Sequence, residues 1–541
     1  MQFHSHSHGL VSIRKASFLD SRLRGNDEPE PIRQDEVAPE SRFRMDTIEQ
    51  GPARRVGNYS IFLEKEQLVT ELERLIDRII DRVNINLREP VFDVRPYVHQ
   101  IIPLKQFGRF YAFYGLTPHH PLHFQFSHSS LAGSYFLGKC IVDHSVLYKS
   151  DVRGDELKAK GDLFHCQGMK IPLHDDEVIR IKDSYLIKTL VHSNSHDPEC
   201  PEEFLIQNTI SMPFANIHGS PVEGSFIGAF STVDLTTLHD CVIGNFAYVQ
   251  VGELAHHLVP EGQIWIHSDK NFAFSYRLPP EVLRFFIELE PGKPPRGIFM
   301  DFVEARKKDF QSVFAVVQSQ PPIAVPKGAS LSRYAVVKGK TTIGENVLVA
   351  QRAYLEDSWL GKGANAQEHC YIIHSRLEGN NVTAHGGKVI HSRLGEKVFV
   401  GFNSFLRGTA DCPLSIGKGC IVMPHTIIDL REPLEIPPGS LIWGFIRNRE
   451  DLQQHSLGLD ALARVTSEVK VGGMRFQGNG AGFVDSFSHR IEHILEANGA
   501  YFDGKKNRGH AQEGLDISFN LIQPYPEGAL KGMYPTIDIR P

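Results

Sequence analysis

The chain has 541 residues, room for about three or four ordinary domains or for two repeat blocks with adaptors. Its 41% hydrophobic and 23% charged residues suit a globular protein with a large core, and a formal net charge of -6 without a Lys/Arg run excludes a nucleic-acid surface as its main business. No apolar stretch approaches the roughly eighteen residues of a membrane span, and the cysteines (Cys140, Cys166, Cys200, Cys241, Cys370, Cys412, Cys420) lack any C-x-x-C pair, which fits reduced thiols in a cytoplasmic protein.

Residues 1–44 are rich in Pro and charge and are set aside as a disordered or spurious leader. The string from Ser17 to Asp27 resembles the translation of a dispersed intergenic repeat of bacterial genomes, which makes Met45 the expected start, and His4, His6 and His8 are an adventitious metal binder at most. Within 45–135, Leu68, Leu72, Leu75, Ile76, Ile79 and Val83 form one stripe of a helix between Leu63 and Leu87. That stripe predicts a docking face for the chain's own repeat or for a neighbouring subunit. The aromatic stretch 91–135, with Phe107, Phe110, Tyr111, Phe113 and Tyr114, predicts an irregular cap.

Residues 136–267 carry a degenerate repeat, in which Ile227, Val233, Leu238, Ile243 and Val249 recur five or six apart and Leu137, Ile227 and Ile243 are each followed by glycine. Loops are expected at 155–178 and 193–204. A helical spacer follows at 268–322: one helix opened by Pro279-Pro280 and running to Leu289, and a second from Ile298 to Phe314. The block 323–446 has the regular repeat. Beyond it, 447–541 reads as mixed, with helices at 449–456 and 486–498, the latter capped by Asp485. The glycines at 478, 480 and 482 read as a linker before that helix, or as a phosphate cradle at its N-terminus.

The regular block is the strongest signal. Ile343, Val349, Leu355, Leu360, Ala366, Ile372, Leu377, Thr383, Val389, Leu394, Val400 and Leu406 recur at spacings of six, six and five, and the rhythm resumes from Ile416 to Leu434. Neither a helix nor an alternating strand has that period; a solenoid with three flat sides does. Ile343-Gly344-Glu345-Asn346-Val347 and Leu394-Gly395-Glu396-Lys397-Val398 resemble the hexapeptide repeat of left-handed parallel β-helix proteins, the trimeric LpxA-like superfamily. The resemblance implies a mainly β fold of two left-handed parallel β-helix blocks with a helical spacer and accessory helices. It also implies a homotrimer, and a choice among the superfamily's activities, chiefly acyl transfer from thioesters and the hydration catalysed by gamma-class carbonic anhydrases.

His374, His385 and His391 each stand two residues after an inward position, and His374 and His391 lie one coil apart, so their rings should stack about 4.8 Å from each other. In the acyltransferase reading one of these three is the general base acting on a hydroxyl or amine, with Gln367, Asn381, Arg376, Arg393 and Asn403 as substrate contacts and an acyl-CoA or acyl-carrier-protein donor. The alternative is a metal-dependent hydratase. Gly379-Asn380-Asn381-Val382-Thr383, His385, His391 and Phe399-Val400-Gly401-Phe402 follow the order found in gamma-class carbonic anhydrases, as does Asn365-Ala366-Gln367-Glu368 ahead of His374. That resemblance makes His374, His385 and His391 ligands of a zinc or iron-type ion, His385 arriving from a neighbouring subunit. Arg153-Gly154-Asp155 also resembles a string of that family, although a turn fixed by Gly154 is the plainer reading. A third reading is a scaffold without catalysis, its histidines forming polar ladders.

Overall fold

An aliphatic side chain every five or six residues can be buried only if the chain turns a corner between them and winds back over itself. The computed structural model, which describes residues 69–99, 101–116, 123–166, 169–268, 271–315, 323–513 and 517–540, shows this winding twice. In the second block short parallel strands stack coil upon coil in three sheets, and Leu360, Leu377 and Leu394 stand in register, all fully buried. The inward residues from Ile343 to Ile446 fill one continuous interior. The small residue after each inward position has a steric cause: a Cβ on Gly361 would lie 2.3 Å from the Glu378 carbonyl oxygen of the next coil.

Corners require positive φ, which L-residues other than Gly, Asn, Asp and His rarely adopt. One corner column of the second block therefore reads Gly339, Asp357, His374 and His391, with φ of 61°, 45°, 47° and 46°. This is a backbone reason for histidine at 374 and 391.

The first block winds in the same way around its own interior. One of its faces is built from Tyr135–Leu137, Asp151–Arg153, Leu190–His192, Asn216–His218, Thr232–Asp234 and Tyr248–Gln250, paired in parallel. Insertions leave the coil where the repeat breaks, the first carrying the hairpin Leu163–Cys166 and Met169–Pro172. The strands Ala112–Leu116 and Phe124–Ser127 also belong to this block, so part of the aromatic stretch expected to be irregular is coil, with Tyr114, Phe124 and Phe126 packed inside.

A β-helix exposes unpaired strand edges at both ends, a risk of edge-to-edge association. Here the C-terminal region covers both ends of the first block. Ser518–Ile522 and Ile537–Ile539 pair antiparallel with Ala112–Leu116 and Phe124–Ser127, and Met474–Gly478 pairs with Phe272–Arg277 at the far end. The helix after Met474–Gly478 spans Gly480–Ala497, beginning six residues before the predicted Ser486. Asn479 rather than Asp485 is its cap, accepting from Gly482 N, and a Cβ on Gly480 would lie 1.8 Å from the Leu462 carbonyl oxygen. Gly480 and Gly482 thus lie in the first turn of a tightly packed helix and Gly478 ends the strand before it, so the stretch is not a linker. The spacer also differs from expectation: Ile298–Ala305 and Lys307–Ala315 are separate helices.

The two blocks and the helices share a third core between them. Phe299 of the spacer touches Phe230 and Phe246 of the first block and Phe405 of the second. The helix Glu71–Asn86, opened by a Thr70/Glu73 capping box, buries Leu72, Leu75, Ile76, Ile79, Ile80 and Val83. It docks on the first block through Arg78 and Arg82 to Asp183 and Asn86 to Asp240; Leu63 to Leu68 of the predicted helix lie outside the described residues. No helix among the described residues is long and apolar enough to cross a membrane.

Candidate functional site

The face of the first block that meets the second carries His192 and His218, side by side on adjacent coils. Each follows an inward residue, Val191 or Ile217, which turns it outward from the coil. From the second block His385 enters between them. One nitrogen from each of His192, His218 and His385 lies within 4.8 Å of the others, and His192 Nδ1 is 3.1 Å from His385 Nε2. The rings are not stacked; His192 and His385 meet edge to face at 83°.

Each histidine has a carboxylate behind it. His218 Nδ1 is 2.9 Å from Asp234 Oδ1, His385 Nδ1 is 2.8 Å from Glu368 Oε2, and His192 Nε2 is 3.4 Å from Asp155 Oδ1. That leaves His218 Nε2, His385 Nε2 and His192 Nδ1 for the centre. The carboxylates are themselves held: Arg490 and Tyr248 bind Asp234, and Arg153 bridges Asp155 and Glu368. Glu156 stands 3.8 Å from both His192 and His510, and His510 is 3.7 Å from Asp155. Phe402 forms an apolar wall against His218 and His385.

The electrostatics favour neutral imidazoles among ionised carboxylates. Burial, reinforced by His192 and His218, pushes His385 well below the ordinary histidine range, and burial lowers His192 despite Glu156 and Asp155. Burial would raise the Asp155 carboxyl, but Arg153 and His192 beside it hold it well below the usual range. Carboxylates outnumber guanidiniums around the cluster. Both Glu368 carboxylate oxygens, His385 Nδ1 and His192 Nε2 are buried without an aligned hydrogen bond. Three converging imidazole nitrogens, those of His385 and His192 kept neutral by burial, and an excess of carboxylates behind them fit a divalent ion of the zinc or iron type.

Of the predicted residues, only His385 is in this cluster. His374 and His391 stack as expected, with ring centroids 4.7 Å apart, but they lie on another corner column, and His374 is 42% exposed with Asp357 at 3.6 Å. Gln367 is buried beside Glu368 in sequence. Asn381 accepts from Gly379 N and donates to the Gly395 carbonyl oxygen, and Asn403 donates to the Phe214 and Phe230 carbonyl oxygens across the block boundary. Arg376 and Arg393 both pair with Glu378 at the surface. His192, His218, Glu156, Asp234, Arg490 and His510 were not read from the sequence; Arg153 and Asp155 stood in the Arg153-Gly154-Asp155 string and Glu368 in Asn365-Ala366-Gln367-Glu368.

The family model described as "Hexapeptide repeat including loop" matches residues 169–291. A solved structure from Desulfovibrio desulfuricans G20, provisionally named an acetyltransferase, is 58% identical, covers 87% of this chain and 99% of its own, and superposes with a TM-score of 0.83. The bifunctional protein GlmU of Anaplasma marginale, from strains Florida and St. Maries alike, is 28% identical over 135 residues. That match takes in 23% of this chain, which spans 29% of the GlmU length.

Proposed function

The chain belongs to the hexapeptide-repeat superfamily of left-handed parallel β-helix proteins, and from that premise we propose that its catalytic centre is the cluster His192, His218 and His385. In this reading the cluster holds a zinc or iron-type ion and the reaction is hydration or hydrolysis at a small carbonyl carbon, as in gamma-class carbonic anhydrases. The observation that carries it is the pattern of three inward nitrogens, each backed by its own carboxylate. When bound, such an ion lets water act as a nucleophile near pH 7.

The chain's own residues supply the rest. Asp234 fixes His218 as the tautomer protonated at Nδ1, keeping Nε2 free. Arg153 ties the carboxylate behind His192 to the one behind His385, and so couples the two blocks at the site. Glu156, 3.8 Å from His192 Nε2 on the side of that ring away from the centre, adds negative charge behind the imidazole. Phe402 excludes water from one side. Both blocks of a single chain contribute, so the centre is assembled without a neighbouring subunit; the homotrimer expected from the sequence is not required for it.

The test is the hydration of carbon dioxide and the hydrolysis of an activated ester, before and after chelation and metal return. Activity that follows the metal and disappears in His385→Ala is expected. A fully metal-loaded protein inert toward both substrates would overturn this reading.

A second reading, acyl transfer from an acyl-CoA or acyl-carrier-protein thioester, is favoured by the name of the 58% identical relative. There His385, backed by Glu368 at 2.8 Å, is the general base, with Nε2 facing the acceptor. Acceptor-dependent release of free thiol from a metal-free sample distinguishes it.

A further inference from the structure

The two blocks meet again around a cavity of about 10 Å³, lined by Lys188 and Asn216 of the first block and His369, Lys388 and Asn403 of the second. Such a volume takes one guest of about water size. Lys388 is 3% exposed. Its ammonium donates to the Gly386 carbonyl oxygen and lies 5.3 Å from the Phe230 ring, with no carboxylate in salt-bridge reach among the described residues. Lys188 lies 4.8 Å from the Phe214 ring, which stacks on Phe230 at 4.8 Å, so each ammonium stands over one ring of a stacked pair.

Nearby carboxylates are already engaged. Glu304 is 3.7 Å from Lys188 but 2.7 Å from Lys307, and Asp151 is held by Arg352 at 2.9 Å and His369 at 2.8 Å. A buried ammonium without a counter-charge is costly, and cation–π contact offsets only part of that cost. Burial lowers Lys388 to about 8, which still leaves it mostly charged at neutral pH.

We propose that the cavity is a site for one monovalent anion of halide size, with the buried Lys388 ammonium as its counter-charge and walls drawn from both β-helices. Asn403 spends both amide hydrogens on the Phe214 and Phe230 carbonyl oxygens, whereas Asn216 gives one to Thr232 Oγ1 and keeps a second for such a guest. The site is independent of any reading of the three-histidine centre.

The test uses the full chain, with thermal unfolding in sodium chloride or bromide and in sodium gluconate at equal ionic strength, gluconate being too large for the cavity. A halide-specific rise of a few degrees is expected, absent in Lys388→Met. Bromide-grown crystals should give an anomalous peak in the cavity beside the Lys388 ammonium. Identical curves in halide and gluconate, or a water refined at that position, would overturn the proposal; both results come from the wild-type protein and stand even if Lys388→Met does not fold.

Discussion

His192 Nδ1 and His385 Nε2 lie 3.1 Å apart although 193 residues separate them and they belong to different β-helices. Each stands on a rigid coil whose register is fixed by parallel pairing on both sides. The contact therefore depends on the docking of two preformed solenoids, and disturbing that docking disturbs the site.

Asp234 is fully buried and is bound by His218, Tyr248 and Arg490 together. Burial would raise its carboxyl, but Arg490 and His218 draw it far below the usual range. Asp234→Ala strips the Arg490 guanidinium, 20% exposed, of its buried carboxylate, which should cost about 3 kcal/mol in urea unfolding. Asp234→Asn, which keeps the shape, should cost less stability and still weaken metal affinity by about 10- to 100-fold in a chelator competition. Equal stability of Asp234→Ala and wild type would refute the buried pair.

His425 reaches from the second block into the first, donating from Nδ1 to the Phe246 carbonyl oxygen and accepting from Thr232 Oγ1 at Nε2. Burial lowers it to about 3, against about 6.5 in the unfolded chain. Its native form is neutral, so its contribution is fully present above pH 6.5 and is lost progressively as the pH falls toward 3. At pH 5 the loss is about 2 kcal/mol relative to pH 7. His425→Gln should flatten the stability profile by that amount, whatever its effect at pH 7. An unchanged slope between pH 7 and 5 would show that His425 does not titrate with unfolding.

At the exposed corner, His374 and His391 answer to backbone shape, each having positive φ. His391→Asn should be close to neutral for stability, whereas His391→Val should lose about 1–2 kcal/mol because a branched residue resists that conformation. Both variants should keep the wild-type metal content. Metal loss in His391→Asn would return this pair to the centre.

The solenoid was legible because its inward residues obey a strict period and Leu360, Leu377 and Leu394 repeat at seventeen. The first block was fainter for a physical reason: insertions leave its corners, so strands paired on adjacent coils, such as Leu190–His192 and Asn216–His218, are 26 residues apart. That spacing hid the pairing of His192 with His218. His385 could be read because it sits in the regular block, but its partners could not, since docking of two solenoids depends on surface shape and leaves no periodic trace. The stacking of His374 and His391 followed from the repeat alone, whereas their φ values, which give the structural reason for histidine there, needed coordinates. Gly480 and Gly482 misled because helix propensity disfavours them, while close packing demands them, Gly480 against the Leu462 carbonyl and Gly482 against the Asn271 side chain.

The central claim is that His192, His218 and His385 form one metal centre shared by two β-helices. The most direct measurement is the metal content of the full chain with His4, His6 and His8 replaced by alanine, in parallel with His192→Ala and His385→Ala in that background. The account predicts near-stoichiometric zinc or iron in the first protein, lost in both variants although the altered residues lie in different blocks. Absence of metal after expression in metal-supplemented medium, or full retention in either variant, would contradict it.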